Sequence, residues 1–139
     1  MPVTYRILPR RGLVYVRFEG HARVAESFEA LGRFAQDPLF RPGLAQLIDL
    51  SAVTGFEPDY VALFRLHAQK TEMFVPQAAE TVNVYIAPTE PAQRLSHQIL
   101  KSWQGIPGLV HRVVASETEA LHILGLDARS IAALMAEEV

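Results

Sequence analysis

The chain has 139 residues, half of them apolar, with no cysteine and with 13 basic against 15 acidic side chains. This length is typical of one domain, and the balanced charge gives no electrostatic reason to expect nucleic acid or an anionic membrane as a partner. Without cysteine, the chain cannot form disulfides, thiolate zinc sites, iron–sulfur clusters or a thiolate nucleophile.

The N-terminal segment predicts a two-stranded hairpin. Val3, Tyr5 and Ile7 alternate with polar residues, which is the period of a half-buried strand. After a turn at residues 9–12, residues 13–18 form a second run that is rich in strand-forming side chains. The short connection favours antiparallel pairing of these two strands.

Beyond the hairpin, helical and strand patterns alternate. Helical spacing of apolar residues predicts helices over 24–35, 58–74 and about 90–103. The helix over 58–74 is expected to bury Val61, Phe64 and Ala68, with Tyr60 and Leu63 widening the apolar stripe. Strands are expected at residues 44–50, 81–87 and 109–115.

Two short helices are expected at the end of the chain. Ser116 and Glu119 match the capping-box pattern, so a helix should begin there and end at Gly125. Asp127 is expected to cap a final helix, with Ile131 and Leu134 on its apolar side. We assign residues 1–126 to one domain and residues 127–139 to a C-terminal helical extension of it, packed on the domain itself or on a second copy.

The order of elements predicts an α/β fold. We expect a mixed, mostly parallel sheet of about five strands, with the N-terminal antiparallel hairpin followed by β-α-β-α-β and with helices covering the sheet. The N-terminus has no apolar signal-peptide core, and no stretch approaches the about 20 apolar residues of a membrane-spanning helix. We therefore expect a cytoplasmic protein without a membrane span.

Motifs for known chemistries are missing from the sequence. No G-x-G or G-x-S-x-G pattern occurs, and no two histidines stand four residues apart. We therefore expect no cofactor, no metal site and no catalytic residue. Most histidines are best explained as surface or core-edge side chains, and His67 and His97, beside the apolar stripes of two helices, are the ones closest to a cleft.

The segment from residue 49 to residue 59 is the main candidate for a partner-binding or ligand-binding loop. It follows a central strand at the edge where open α/β sheets bind ligands. Acidic residues in the first turn of the next helix are also explained by the helix dipole alone. The candidate residues of this loop are Asp49, Ser51, Thr54, Phe56, Glu57, Asp59 and Tyr60.

A pocket is a second candidate site. Trp103 could meet the end of the helix over 58–74 and Phe56, with the two histidines nearby. Core packing explains the same aromatic side chains equally well. The candidate pocket residues are Met73, Trp103, His67 and His97.

The run LIDLSAVT at residues 47–54, followed by a short connection and a helix, resembles the central strand and switch loop of STAS domains, the anti-sigma-factor-antagonist fold. The opening hairpin, the run TVNVYIAP at 81–88 and the closing segment extend the resemblance over residues 3–126 to the SpoIIAA-like group. Regulatory members carry a phosphorylated serine at the start of that helix, and here Asp59 stands at the corresponding position. The resemblance therefore implies a STAS-like module without the phosphoacceptor.

Three functions follow as hypotheses. The first is a non-enzymatic module that binds a protein partner or a second copy of itself, through the 49–59 loop. The second is a domain that binds a small apolar or amphipathic ligand between the sheet and the helices. The third is an acid–base enzyme that uses Asp49, Glu57 or Asp59 with His67 or His97, which requires these groups to converge on one substrate atom.

Overall fold

One mixed β-sheet of five strands organises the chain in the computed structural model. The structure describes residues 3–41, 43–57, 59–74, 81–103 and 109–137, without the side chains of residues 60, 64, 70–74 and 137. The strands are β1 (Val3–Leu8), β2 (Leu13–Ala22), β3 (Ala45–Phe56), β4 (Thr81–Ile86) and β5 (Leu109–Val114). The helices are α1 (Val24–Ala35), α2 (Tyr60–Phe74), α3 (Glu90–Trp103), α4 (Glu117–Ile123) and α5 (Ile131–Glu137).

The sheet has the strand order β1-β2-β3-β4-β5. β1 and β2 pair antiparallel, with Val3 opposite Phe18 and Leu8 opposite Leu13, and the other neighbouring strands pair parallel. A single 3-10 turn joins the hairpin, and Gly12 ends it with φ 63°, a left-handed conformation that favours glycine. The predicted α/β class, the hairpin and the mixed, mostly parallel sheet are confirmed.

Helices cover both faces of the sheet. α1, α2 and α3 connect successive parallel strands and pack on one face, where they share a core with side chains such as Val14 and Ile48. α4 and α5 pack on the other face through Leu121, Ile131 and Leu134. None of the described helices is long and apolar enough to cross a membrane.

The long pair formed by β2 and β3 corrects the prediction of a loop at residues 49–59. β3 does not end near residue 50, because β2 also continues beyond its predicted end and offers a partner as far as Ala22, which lies opposite Phe56. Gly55 stays within the strand, opposite His21. Backbone pairing thus overrides the local turn signal of the glycine, and only residues 57–59 connect β3 to α2.

The buried face of α2 differs from the predicted stripe. Val61 is 64% exposed and Ala68 is exposed as well. Leu63, which was expected to widen the stripe, is buried, and so are Leu66 and His67. The side chain of Phe64 lies outside the described residues. Residues three or four positions apart share a helix face. The buried residues Leu63, Leu66 and His67 therefore form a regular stripe, which is rotated about the helix axis relative to the predicted one.

The two terminal helices begin at serine caps. The Ser116 hydroxyl accepts a hydrogen bond from Glu119 N at 3.2 Å, which confirms the predicted cap of α4. The Ser130 hydroxyl accepts from Ala133 N at 3.1 Å, so α5 begins at residue 131. The prediction that Asp127 caps this helix is wrong, because Ser130 supplies the acceptor at the helix start.

Candidate functional site

A cavity of about 120 Å³ lies between the sheet and helices α1, α2 and α3. Apolar side chains dominate its lining. Its floor on the sheet includes Val14, Val16, Ile48 and Tyr85, and its roof on the helices includes Leu31, Phe34, Leu63, Leu66 and Ile99. An apolar cavity of about 150 Å³ in another protein stays dry and binds benzene, so this space has the size of a small-molecule site.

The strand period explains which residues of β3 reach the cavity. Gln46 and Ile48 line it, whereas Leu47, between them, packs in the core on the opposite face. On the β2 and α1 sides, the small side chains of Ala22 and Ala30 belong to the lining. Larger side chains at these positions would occupy space that the cavity leaves open.

One end of the cavity lies at the carboxyl ends of β2 and β3. Glu57, directly after β3, accepts a hydrogen bond from Val24 N through its Oε1 atom at 2.7 Å, and its own N–H donates to Ala22 O at 3.0 Å. The first bond caps α1, because Arg23 at the N-cap position makes no capping bond with its side chain. One hydrogen bond therefore joins the start of α1, and the other joins the end of β2, to the residue that follows β3.

The role of Glu57 as a cap predicts a measurable loss of stability. Glu57→Ala should lower the free energy of unfolding by about 1–2 kcal/mol, because Val24 N loses its acceptor. Glu57→Gln retains an amide oxygen at the same reach and should lose less than half of that. Urea denaturation of the three proteins measures the difference, and equal losses for the alanine and glutamine variants would contradict the capping role.

A buried polar pair forms part of the wall near α3. His67 is 3% exposed and lines the cavity, and its ring stacks on Trp103 with the ring centroids 4.6 Å apart. Ser102 Oγ is hydrogen-bonded to His67 Nδ1 and donates its single proton to Ile99 O at 2.8 Å. Since that proton is used, we assign the Nδ1 atom of His67 as the donor to Ser102.

An aromatic layer continues behind this wall. Trp103 lies 5.4 Å from His111 between ring centroids, and His111 Nδ1 is hydrogen-bonded to the Tyr85 hydroxyl at 3.0 Å. Burial raises the pKa of Tyr85, which stays a neutral phenol. The described wall at this end is therefore built from stacked aromatic rings that are joined by hydrogen bonds.

The opposite end of the cavity lies at the edge strand β1. Tyr5 lines the cavity and packs edge-on against Phe34, with ring centroids 5.4 Å apart. Its hydroxyl donates a hydrogen bond at 2.9 Å to Asp37 Oδ2, in the turn after α1, while Asp37 Oδ1 accepts from Leu39 N. Partial burial, together with the Asp37 carboxylate, raises the pKa of Tyr5. Tyr5 therefore lines this end as a neutral, hydrogen-bonded side chain.

Asp49 belongs to a different network on the other face of the sheet. It is 5% exposed, and its Oδ2 atom accepts hydrogen bonds from the Tyr15 hydroxyl at 2.6 Å and Arg17 Nη1 at 3.5 Å. Its Oδ1 atom accepts from both Ser51 N and Ser51 Oγ. The carboxylate is thus fully engaged in joining β2 to β3, and the sheet separates it from the cavity.

The residues of the predicted partner or ligand loop do not form one surface. Asp49 is buried behind the sheet, while Ser51 and Thr54 are exposed on β3. The side chain of Tyr60 lies outside the described residues. Three members do come together at the carboxyl end of the cavity: Phe56, Glu57 and Asp59.

Of the residues of the predicted pocket, His67 lies in the cavity wall. Trp103 is buried and stacks on the ring of His67, but it is not among the residues that line the described cavity. His97 is exposed on α3, because it follows the buried Ser96 by one residue and is turned by about 100° from that inner face. The side chain of Met73 lies outside the described residues.

Several lining residues were expected only as core. The alternation in the first strand already placed Tyr5 on the same face as Val3 and Ile7, and Ile48 belongs to an apolar run at 44–50 that predicts a strand covered on both faces. Nothing in the sequence distinguishes an inner residue that meets a neighbour from one that faces open space.

Neither the arrangement of metal-binding side chains nor a comparison with known proteins assigns a function to the site. Among the described residues, no group of three or more histidine, aspartate and glutamate side chains is arranged to hold a metal ion. The chain matches no protein-family model and no curated protein. The resemblance to STAS domains therefore stays a prediction, and the cavity is the feature on which a function can be argued.

Proposed function

We propose that this protein binds a small apolar molecule, or the apolar part of an amphipathic one, in the cavity between the sheet and α1, α2 and α3. The observation that carries this proposal is a space of about 120 Å³ with a mainly apolar lining in the principal core. Natural cores are packed with few voids larger than a water molecule, because each unfilled space loses dispersion contacts. A ligand in the cavity would restore these contacts.

The dimensions and charges of the cavity support a ligand of limited size. Its volume is close to that of a cavity that binds benzene, so it accommodates one six-membered ring or a short branched alkyl group. The charged side chains of the described lining are Arg23, Glu57 and Asp59, all around the carboxyl end. An amphipathic ligand would place its polar group there and its apolar part beneath α1 and α2.

The other two hypotheses receive less support. Phe56, a residue of the loop through which a protein partner was expected to bind, lines the cavity. The acid–base hypothesis requires carboxylates and histidines to lie close together. Asp49 does not lie beside His67, because the sheet separates them, and His97 is exposed on α3. Association with a partner protein or with a second copy stays a prediction, as does a role as a STAS-like regulatory module.

Filling the cavity gives the sharpest test of the proposal. Ala30→Leu places three more carbon atoms in the space, so it should weaken the binding of toluene by about tenfold or more. The same change should raise the free energy of unfolding by about 0.5–2 kcal/mol, because it fills a void. Ala25→Leu, on the exposed face of the same helix, is the matched control and should leave toluene binding unchanged.

Titration calorimetry with toluene and native mass spectrometry of the purified protein are the measurements. The proposal predicts saturable toluene binding at one site and the co-purification of a small molecule with the wild-type protein but not with Ala30→Leu. If toluene bound equally to the folded wild-type and Ala30→Leu proteins, the cavity would not be the ligand site and the proposal would be wrong.

A further inference from the structure

Three neighbouring strands carry polar side chains side by side on the face of the sheet that bears the cavity. Gln46 of β3 lies opposite Asn83 of β4, and Asn83 lies opposite His111 of β5. Ile48 and Tyr85, two residues further along β3 and β4, line the cavity, so Gln46 and Asn83 lie on the same face. The ring of His111 stacks on that of Tyr85. Gln46, Asn83 and His111 together are called the polar row below.

Gln46 is the member of the polar row that lines the cavity. Its side chain is 3% exposed, which keeps the amide out of bulk water. A carboxamide has two N–H donors and an oxygen that accepts, and burial of such a group is costly where these are not used. A purely apolar ligand offers nothing to this amide, whereas a ligand with a hydrogen-bonding group does.

Asn83 provides a second, independent observation. It is completely buried inside an interior strand, where asparagine is rare, and neither its Oδ1 nor its Nδ2 atom has a hydrogen-bond partner among the described residues. Burial raises the pKa of Tyr85 and the nearby Asn83 amide offsets part of that rise, but the Tyr85 hydroxyl is hydrogen-bonded to His111. Buried amides are nearly always hydrogen-bonded, so a polar group from outside the chain is expected beside the polar row.

The described lining separates charged from neutral polar side chains. Arg23, Glu57 and Asp59 lie around the carboxyl ends of β2 and β3, whereas Gln46 is the second residue of β3 and lies near its amino end. A charged group on a ligand therefore has partners at the carboxyl end. A neutral group that can both donate and accept a hydrogen bond has its partners at the polar row.

We infer that the ligand is a neutral ring bearing one group that both donates and accepts a hydrogen bond, as a phenol does, and that Gln46 recognises this group. The inference rests on the proposed function and names the chemical class of its ligand. The ring occupies the apolar space beside Val14 and Ile48, which adjoin Gln46 on β2 and β3. The hydroxyl meets the Gln46 carboxamide, which complements either role of the hydroxyl, with the Asn83 amide next to it on β4.

Phenol and toluene are matched probes, because they have nearly the same shape and differ in a hydroxyl against a methyl group. In an apolar cavity toluene binds more tightly, since the phenol hydroxyl loses water without replacement. With the wild-type protein we expect the opposite order, with phenol about fivefold tighter. Gln46→Leu should weaken phenol binding by about tenfold or more and leave toluene binding as tight as before or tighter. Titration calorimetry measures each dissociation constant.

Two further variants complete the experiment. Gln46→Met keeps the length of the side chain and should lose the phenol preference in the same way, so it replaces Gln46→Leu if that protein does not fold. Ser27→Ala is the matched control, because it removes a different polar side chain from the lining, in the first turn of α1. It should leave the ratio of the two dissociation constants unchanged.

The outcomes separate this inference from the proposed function. If the wild-type protein binds toluene as tightly as phenol or more tightly, the inference is wrong and the apolar binding site stands. An unchanged ratio in a folded Gln46 variant, or an equal loss in Ser27→Ala, would also overturn it, because recognition would then not lie with Gln46. If the wild-type protein binds neither probe, the proposed function fails and this inference fails with it.

Discussion

Leu134→Ala is expected to lower the free energy of unfolding by about 2–5 kcal/mol, which is the range for removing a large aliphatic side chain from a core. Leu134 is completely buried, and it packs with Leu121 and with the sheet residues Leu13 and Val84 in the core on the second face. A helix of seven residues is not stable alone, so α5 depends on this docking. Chemical denaturation followed by circular dichroism measures the change.

Ile123→Ala is the control for this prediction, because Ile123 is 43% exposed on α4 and should lose less than about 0.5 kcal/mol. In the described structure, α5 packs on its own domain. The stability of both variants should therefore not depend on protein concentration. A concentration-dependent loss in Leu134→Ala would contradict this arrangement and would indicate that α5 stabilises an association between copies.

Asp49→Ala is expected to have an effect of similar size, about 3 kcal/mol. The substitution removes the acceptor of the Tyr15 hydroxyl, which is half-buried, and both bonds from Ser51, which is exposed. The unpaired Tyr15 hydroxyl and the space left by the buried carboxylate account for most of the expected loss. The contribution from Arg17 is small, because that side chain is 39% exposed and lies 3.5 Å away. Asp49→Asn keeps an oxygen acceptor and should lose less than half as much.

The same network predicts a pH effect. Burial, followed by the hydrogen bond to Asp49, raises the pKa of Tyr15 from 10.0 to about 12. The folded state therefore favours the neutral phenol, so this contribution to stability is complete below pH 10 and disappears as the pH rises through about 12. In Asp49→Asn the pKa of Tyr15 should fall but stay above its ordinary value, because burial remains.

Ultraviolet titration of the phenolate, with Tyr15→Phe identifying the signal, measures this pKa. An unchanged pKa in Asp49→Asn would show that burial alone is responsible and that the bond between Tyr15 and Asp49 adds nothing. Comparison of the unfolding free energy at pH values on either side of 10 gives the corresponding stability.

The order of the helices and strands could be predicted from the sequence, because the residue patterns that specify each element are local. Alternation at Val3, Tyr5 and Ile7 and a short turn specify the hairpin, and the stripe Ala92, Leu95, Ile99 and Trp103 specifies α3, whose four stripe residues are all buried. The α/β class follows from this alternation of periods. Capping of α4 by Ser116 is equally local.

The length of the central strands was not predictable in the same way. Gly55 is a turn signal in sequence, but its backbone is held opposite His21 by a strand that is more than 30 residues away in the chain. The buried face of α2 is a similar case. Val61 and Leu63 are both apolar, and the packing of α2 beside α1 and α3 decides that Leu63 is the buried one.

The cavity is even less predictable from the sequence than the strand lengths and the buried face of α2. Residue patterns identify Ile48 and Leu31 as inner side chains, but a void depends on how far the helices stand from the sheet and on small side chains such as Ala30. The contact between Tyr5 and Asp37 joins strand β1 to the turn after α1, which no periodicity relates. Both are properties of packing between distant elements.

Titration of ¹⁵N-labelled protein with toluene, followed in amide correlation spectra, tests whether the cavity binds an apolar ligand. If toluene binds there, the amide signals of residues lining the cavity should show saturable shifts, with the largest at Ala30, Leu31, Ile48 and Leu66. These shifts should be lost in Ala30→Leu but not in Ala25→Leu. The absence of saturable shifts in ligand-free protein, or shifts confined to exposed residues such as Val61 and Ile123, would contradict binding in the cavity.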